Sequence, residues 1–434
     1  MVGVLLFAMF LQEPDVDALL KQLTDESIEV RGQAASGLID LGDKVVERIK
    51  KELASADGEI KPQLEGILRA IARKRKLNEV LPALARVTID AKDLKLREVL
   101  EDLKRQSGLA MNLEGLADAA ISVQVKDAAP LEALNAICKA AGLGFQIDSY
   151  QSMRGRAVVA GGPGGFGGEQ GEPTIRFTAG GYAEIPRVFV RHYQVEPSNV
   201  SMSQSSNFRT TTFSAQMNVQ LTWPPGVKPD VMMMEINSVT DDKGRALYDA
   251  ARNPGIRMDR PMRRGMYPSR SQWDQYVHLT YPAADARSIA SVKGNATLKF
   301  VMEEKLLSFE APETESAQKK EYDGVEVELR EFKSTADTIQ VKLVTTGRRK
   351  SAQGEGQGPG SFGNIDSQQV RLRMEDGSAP SHQGMSGRGD GKSYTIDLTY
   401  RNAKSKVVAI DIVMDTVYHE DKFEFELKDI PLPK

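Results

Sequence analysis

The chain has 434 residues, too many for one hydrophobic core and suited to about three domains of ~150 residues each. Its 57 lysine and arginine residues nearly balance 60 aspartate and glutamate residues, for a formal charge of -3. This balance supplies no global field that attracts nucleic acid or an acidic membrane. One cysteine, Cys138, excludes a disulfide framework or a thiolate zinc site within one chain. We interpret Cys138 as a small buried apolar residue.

The N-terminal apolar run from Val2 to Leu11 is far shorter than the ~20 residues of a membrane-spanning helix. Its length is typical of a signal-peptide core, although no basic residue precedes it and no clear small-x-small cleavage site follows. We therefore expect residues 1–12 to be a signal peptide and the protein to be periplasmic or otherwise extracytoplasmic. If this segment is not cleaved, we expect it to be the part that anchors the protein to a membrane. The alternative is an N-terminal helix buried against its neighbours.

Residues 16–78 contain a sequence repeat with an offset of 30, in which Leu19 matches Ile49 and Leu38 matches Leu68. Apolar residues recur at helical spacing, which predicts two helix pairs. The residues Asp25 to Arg31, Ala34-Ala35, Leu38 and Leu41-Gly42 resemble HEAT repeats. Two such units do not bury a continuous core, so we expect a neighbouring domain, a second copy or a partner to complete it. The basic run Arg73 to Lys76 is interpreted as a helix C-terminus, where cations complement the dipole.

A second repeat, with an offset of 34, covers residues 85–150 and reads strand, helix, strand twice. Leu96, Val99, Leu100 and Leu103 share one face of the first predicted helix, and Gly108 follows at the C-cap position. Pro130 opens the second helix and Gly142 closes it. The pattern predicts a compact βαββαβ domain.

The segments of this domain resemble the secretin and TonB short N-terminal domain, called STN-like below. The resemblance rests on Val87-Thr88-Ile89-Asp90, Leu96 to Leu100, Ser107-Gly108-Leu109, Ile121 to Val125, Leu131 to Leu134, and Gly142-Leu143. It implies a periplasmic docking module of the kind that precedes an outer-membrane pore or receptor.

Residues 151–173 include eight glycines between Gly155 and Gly171, a composition whose ordering entropy disfavours regular structure. We predict a linker. A phosphate-binding loop is not favoured, because no Gly-Lys-Ser/Thr follows.

From Thr174 onward the hydrophobic period is two, which predicts strands. Phe213, Ala215, Met217, Val219, Leu221 and Trp223 alternate with Thr212, Ser214, Gln216, Asn218, Gln220 and Thr222, so one face is expected on a core and the other in water. Similar runs begin at Leu298, Val325, Ile339, Tyr394, Val408 and Phe423. We predict β-sandwiches at 174–309 and 321–434, with their junction at Glu310 to Lys320. The fold class is then multidomain α+β: a helical repeat pair, a small βαββαβ domain and an all-β half.

Catalytic and metal motifs do not emerge from the sequence. The histidines His192, His278, His382 and His419 lack ligand spacing, and no Gly-x-Ser-x-Gly elbow is present. We expect no enzyme activity, no catalytic or metal-binding residues and no cofactor.

An unusual segment crowds arginines among prolines and methionines: Arg252, Arg257, Arg260, Arg263, Arg264 and Arg270. It is a candidate partner-binding loop for an acidic protein, a phosphate-bearing polymer or single-stranded nucleic acid. The alternative is a long loop whose arginines pair with nearby acids. Nucleic acid is disfavoured if the protein is exported.

These features predict a non-catalytic extracytoplasmic scaffold or interaction protein of the bacterial envelope, which docks on protein partners through its HEAT-like and STN-like modules. A homo-oligomer is compatible with the same features. One alternative is an accessory subunit of a secretion or outer-membrane transport system. Another is an extracytoplasmic enzyme or carbohydrate-binding protein that uses a sandwich loop, because a fold of this kind hosts many functions.

Overall fold

A computed structural model describes residues 15–148, 174–248 and 271–433, with gaps at 57, 59, 208, 313–317, 336, 348–364, 366–368, 391 and 402–404. The predicted signal peptide, the glycine-rich segment and the arginine-rich loop therefore lie outside the described residues. The described chain is mixed α and β, and its C-terminal half consists of antiparallel sheets, as the alternation predicts. It divides into two compact units, one with 15–248, 271–300 and 420–433, the other within 301–419.

The first unit begins with a helical segment whose first two helices start at side-chain caps. The Oδ1 of Asp15 accepts from the backbone N–H of Asp17 at 3.0 Å, and Ser27 caps the next helix. The shared core buries Leu20, Leu23, Ala34, Leu38, Val45, Ile49, Leu64, Ile67 and Ile71. The helices are α1 (Val16–Gln22), α2 (Ile28–Leu41), α3 (Val46–Ser55) and α4 (Ile60–Val80), with a 3-10 turn at Gly42–Val45.

The basic run does not end a helix, because α4 continues to Val80. The Nζ of Lys74 lies 2.9 Å from the Oδ1 of Asp40, and the Nη1 of Arg75 lies 3.6 Å from the Oδ1 of Asp43. These cations therefore pair with acids at the end of α2 and in the turn after it. The expected role at a helix C-terminus is wrong for this run.

A small α/β module follows, and its two helices pack as their apolar spacing predicts. Leu100, Leu103, Leu134 and Cys138 are all fully buried. Both helices end at a glycine in the left-handed region, Gly108 at φ +71° and Gly142 at φ +65°. The elements are β1 (Val87–Lys95), α5 (Leu96–Ser107), β2 (Ala120–Ala128), α6 (Pro130–Ala141), β3 (Leu143–Asp148) and β4 (Thr174–Ala179).

The last strand of this module comes from beyond the glycine-rich segment. β3 pairs with β4 in an antiparallel register, and the fully buried Ile175 joins the module's core. The backbone N–H of Ile175 also donates to the carbonyl of Ala110 at 2.9 Å, next to an isolated bridge at Met111. Where the sequence predicts a strand directly after α5, the structure has this bridge. The period-two pattern alone places β4 in the first sandwich, whereas the structure pairs it with β3.

The rest of the first unit contains two antiparallel sheets. Ala215, Met217, Val219 and Leu221 are buried on one face, as predicted, whereas Phe213 is 45% exposed and contacts the ring of Tyr281. One sheet has the order β5 (Val188–Val190), β6 (Tyr193–Ser206), β7 (Thr211–Thr222) and β9 (Gln272–Leu279). The other contains β8 (Val231–Asp241), the first part of β10 (Ser288–Glu310) and the last part of β17 (Val407–Pro431).

The end of β17 belongs to the first unit although the sequence places it in a second sandwich. The ring of Phe423 stacks on that of Tyr193 with centroids 4.9 Å apart. The hydroxyl of Tyr193 donates to the Oδ2 of Asp421 at 2.7 Å, and Arg191 donates to the same carboxylate. These contacts join the closing strand to β6, which lies more than 200 residues earlier.

The second unit is a β-structure with its own core, formed by Phe309, Val327, Leu329, Val341, Leu343, Ile396, Leu398, Ile410 and Ile412 among others. The expected junction at Glu310 to Lys320 lies inside this unit, because the division falls within β10 and β17. Its strands include β11 (Gln318–Tyr322), β12 (Val325–Ser334), β13 (Thr338–Gly347), β14 (Val370–Met374), β15 (Ser381–Gly389) and β16 (Ser393–Arg401). Within the described ranges, no helix is long and apolar enough to cross a membrane.

We expect Leu134→Ala to lower the free energy of unfolding by about 2–5 kcal/mol, because the leucine is fully buried in the core of the small module. Urea denaturation measures the change, and amide hydrogen exchange should accelerate in α5 and α6. The exposed Glu101→Lys on α5 is the control, with an effect of at most about 0.5 kcal/mol. Equal stability of the two variants would contradict this packing.

Candidate functional site

The first unit contains a pocket of about 400 Å³. This volume falls within the ~300–1,000 Å³ typical of small-ligand sites. Its lining comes from β3, from the loop after β4, and from one end of the β6, β7 and β9 strands. The lining residues are Leu143, Gly144, Phe145, Gln146, Ile147, Gly181, Tyr182, Ala183, Arg187, Gln194, Glu196, Gln220, Thr222 and Gln272.

Cross-strand register brings the polar lining together. Gln194 pairs with Thr222, which pairs with Gln272, and in the next row Glu196 pairs with Gln220. These positions share a sheet face because side chains alternate along each strand. The sequence places this face in water, but Thr222 is 5% exposed and Gln194 only 3%. That expectation is wrong at this end of the sheet, where the polar side chains face a pocket.

Gln194 has one amide atom paired and one not. Its Nε2 donates to the Oε2 of Glu196 at 3.0 Å. Its Oε1 is buried and has no hydrogen-bond partner among the described residues. An unsatisfied buried acceptor costs about 1–3 kcal/mol, so such atoms in native proteins are usually met by water or a ligand.

Arg187 joins the elements around the pocket. Its Nε lies 2.9 Å from the Oε2 of Glu196, in an ion pair whose side chains are each 13% exposed. Its Nη1 donates to the side chain of Asn135 in α6, and its Nη2 donates to the carbonyl of Ala183 at 3.4 Å. The guanidinium also lies 5.6 Å from the ring centroid of Tyr182. One side chain thereby contacts the small module, the loop after β4 and strand β6.

Burial controls the ionisation of the titratable groups near this pair. It raises the pKa of Glu196, although Arg187 and the Gln194 amide act in the opposite direction. Burial also raises the pKa of the Cys138 thiol to about 12, against a smaller opposite effect of Arg187. Cys138 is therefore a neutral thiol at physiological pH, in agreement with its interpretation as an apolar core residue.

Other buried carboxylates also have arginine partners. The Oδ2 of Asp241 accepts from the Nε of Arg245 at 2.6 Å, and its Oδ1 accepts two backbone N–H groups of the turn after β8. In the second unit, Asp411 accepts two hydrogen bonds from the guanidinium of Arg373, at 2.9 and 3.1 Å. With Arg191–Asp421 and Arg187–Glu196, four such pairs are described.

The residues singled out in the sequence do not meet at this pocket. The candidate partner-binding arginines, Arg252 to Arg270, lie outside the described residues. His192 is half-buried, and burial lowers its pKa. His278 is exposed and lies against the ring of Tyr276. Over the described ranges, no group of three His, Cys, Asp or Glu side chains is arranged to hold a metal ion.

Sequence reasoning missed Arg187, Gln194 and Glu196. The run Tyr193-Gln194-Val195-Glu196 contains a usable signal, because its alternation places both polar side chains on one strand face. It does not show that this face meets Gln220 and Thr222, because strand register and order are tertiary information.

No family model matches the chain, and no curated protein matches it. One solved structure, described as the crystal structure of the conserved domain protein from Bacillus anthracis, is similar over 56% of this chain and 89% of that chain. The identity is 8% and the TM-score 0.17, so this similarity supports no conclusion about fold or function.

We expect Arg187→Met to reduce stability more at high pH than at low pH. A carboxyl whose folded pKa lies above its unfolded value loses stability as pH rises, because the folded state then binds more protons. Removing Arg187 takes away a charge that lowers the pKa of Glu196, so the folded pKa rises further above 4.5. Thermal unfolding at about pH 4 and about pH 8 measures the difference.

The control for this experiment is the double variant Arg187→Met/Glu196→Gln, which has no carboxyl at position 196. Its stability relative to wild type should lack the extra loss at high pH. If the single and double variants show the same pH dependence, Glu196 is not the group responsible.

Proposed function

We propose that this protein is a non-catalytic, extracytoplasmic scaffold or interaction protein of the bacterial envelope, which docks through its HEAT-like segment (16–78) and its STN-like module (85–150). The observation that carries the proposal is the pairing of three buried carboxylates (Asp241, Asp411 and Asp421) and the partly buried Glu196 with arginines. The resemblances of the two N-terminal modules supply the expected mode of action, which is contact with protein partners.

The carboxylate pairs favour a structural role because of what each oxygen atom contacts. A general acid or base needs a carboxyl group that reaches the substrate and exchanges its proton there. Asp241 instead receives two backbone N–H groups and an arginine, which holds a turn after β8. Asp421 receives Tyr193 and Arg191, which joins β17 to β6. We infer that such contacts stabilise the β-sheets of the first unit as a support for the docking modules.

Each proposed docking module also exposes a large apolar side chain. Ile28, at the start of α2, is 73% exposed, and Leu94, near the end of β1, is 42% exposed. A partner that covers an exposed aliphatic group stabilises the complex by about 25 cal/mol per Å² of apolar surface removed from water. Ile28 is the more informative of the two because most of its side chain is in solvent.

We expect Ile28→Asp to weaken partner binding while leaving the fold intact. The position is the first residue of α2, where an acidic side chain interacts favourably with the helix dipole, so the stability change should stay within about 0.5 kcal/mol. Quantitative cross-linking and affinity capture from envelope extracts compare the variant with wild type.

The matched control is Met385→Asp, which also replaces an exposed apolar residue (45%) but lies on β15, outside both docking modules. It should retain the wild-type partners. If Ile28→Asp retains them as fully as this control, the helical segment does not dock as proposed.

Export is a separate expectation that N-terminal sequencing tests. Protein isolated from the native cell should lack the first ten or so residues or be held at a membrane through them. Recovery of intact Met1 in the cytosolic fraction would exclude the extracytoplasmic part of the proposal.

A further inference from the structure

The pocket beside Arg187 is large enough for a small ligand and contains a hydrogen-bond acceptor to which no described residue donates. Its volume is about 400 Å³, and the buried Oε1 of Gln194 has no partner among the described residues. We propose that this pocket binds a small, uncharged, hydroxyl-rich molecule, of the size of a mono- or disaccharide. The proposal does not rest on the protein-docking role of the N-terminal modules, although β3 of the STN-like module lines the pocket.

The charges of the lining favour an uncharged ligand. The Nε of Arg187 and the Oε2 of Glu196 are 2.9 Å apart, so each side chain neutralises the other. The other polar side chains in the lining are amides and hydroxyls: Gln146, Gln194, Gln220, Gln272, Thr222 and Tyr182. A charged ligand would lose its hydration without meeting an opposite charge, which is costly in a partly buried site.

The hydrogen-bonding groups favour hydroxyls. A glutamine amide has two N–H donors and one oxygen acceptor. A hydroxyl group can hydrogen-bond to either end, because it donates one hydrogen bond and accepts two. The unpaired Oε1 of Gln194 requires a donor in particular. The register brings Gln194 and Glu196 beside Thr222 and Gln220, so several polar groups converge within two adjacent cross-strand rows. Ligand hydroxyls can form with these groups the hydrogen bonds that polar side chains otherwise form with water.

Two aromatic side chains supply the apolar part of the lining. Phe145 of β3 and Tyr182 of the loop after β4 both border the pocket, and both are half-buried. A flat, partly apolar ring such as the face of a sugar packs on surfaces of this kind, since small-ligand sites combine apolar walls with a few placed polar groups.

An added peptide strand fits the pocket less well. β3 already pairs with β4, and the backbone of Gly181 lies so close to Gly144 that a Cβ there would be 2.7 Å from the Gly181 carbonyl oxygen. The polar groups that line the pocket are mainly side chains, which favours a small ligand over an added strand.

The test titrates the full-length protein with a panel of neutral mono- and disaccharides by isothermal calorimetry. At least one sugar should bind saturably with a Kd below about 10 mM. Gln194→Leu should weaken that binding about tenfold or more, because a buried acceptor for a ligand hydroxyl is lost. Gln220→Ala should weaken it in the same direction, and this side chain is only half-buried, so the variant remains informative if Gln194→Leu unfolds.

The matched control is Gln275→Leu. Gln275 is also a buried glutamine of the same sheet, 7% exposed, but it lies on the opposite face of β9 and its Nε2 donates to the carbonyl of Tyr276 at 2.9 Å. This variant should bind like wild type. The proposal is overturned if wild type binds no neutral sugar, if charged analogues bind more tightly than their neutral parents, or if the pocket variants bind as well as Gln275→Leu.

Discussion

The ion pair between Arg187 and Glu196 is the interaction on which the organisation of the first unit depends. It lies where the small α/β module meets the β-sheet, with each side chain 13% exposed. Burial raises the pKa of Glu196 even beside the arginine, so desolvation outweighs the effect of the arginine on this carboxyl group. The pair fixes the relative position of the module and the sheet, because the same guanidinium also contacts Asn135 and Ala183. A hydrophobic contact lacks this directionality.

The two faces of the β5-β6-β7-β9 sheet explain how one structure combines a rigid body with a pocket. One face carries Val195, Met217 and Val219, all fully buried in the sheet's apolar core. The other face carries amides and hydroxyls, which remain partly solvated along most of β7. At the end nearest Arg187 the polar face is partly covered, and its glutamines line an open pocket. Strict alternation therefore produces both features from the same strands.

Long-range ties complete the first unit, and they are consistent with the proposed role as a support for docking modules. β17 contacts β6 through the hydrogen bond between Tyr193 and Asp421. β4, which follows the glycine-rich segment, pairs with β3, which precedes it. Closing such long loops costs conformational entropy, and the buried contacts must offset this cost. The STN-like module is thereby paired, through β3, with a strand from beyond the glycine-rich segment. A sugar-sized ligand beside Arg187 would bind at the place where the module and the sheet meet.

Local features were determined by the sequence alone. The spacing of Leu96, Leu100 and Leu103 predicts the buried face of α5, and glycine at position 108 predicts where that helix ends, because both depend on nearest neighbours along the chain. The alternation from Ala215 to Leu221 predicts a strand and its apolar face for the same reason. Its prediction for Phe213 is wrong, because the alternation places this residue on the core but the structure exposes it.

Only the tertiary structure decided the partners of these elements. Ile175 and Phe423 have ordinary strand patterns, and nothing in those patterns says that one joins the small module and the other joins β6. Gln194 is polar in a period-two pattern, which predicts a solvated side chain, yet it is 3% exposed because another module covers that end of the sheet. Periodicity fixes which face of a strand is apolar, whereas the burial of a polar face depends on which distant segment packs against it.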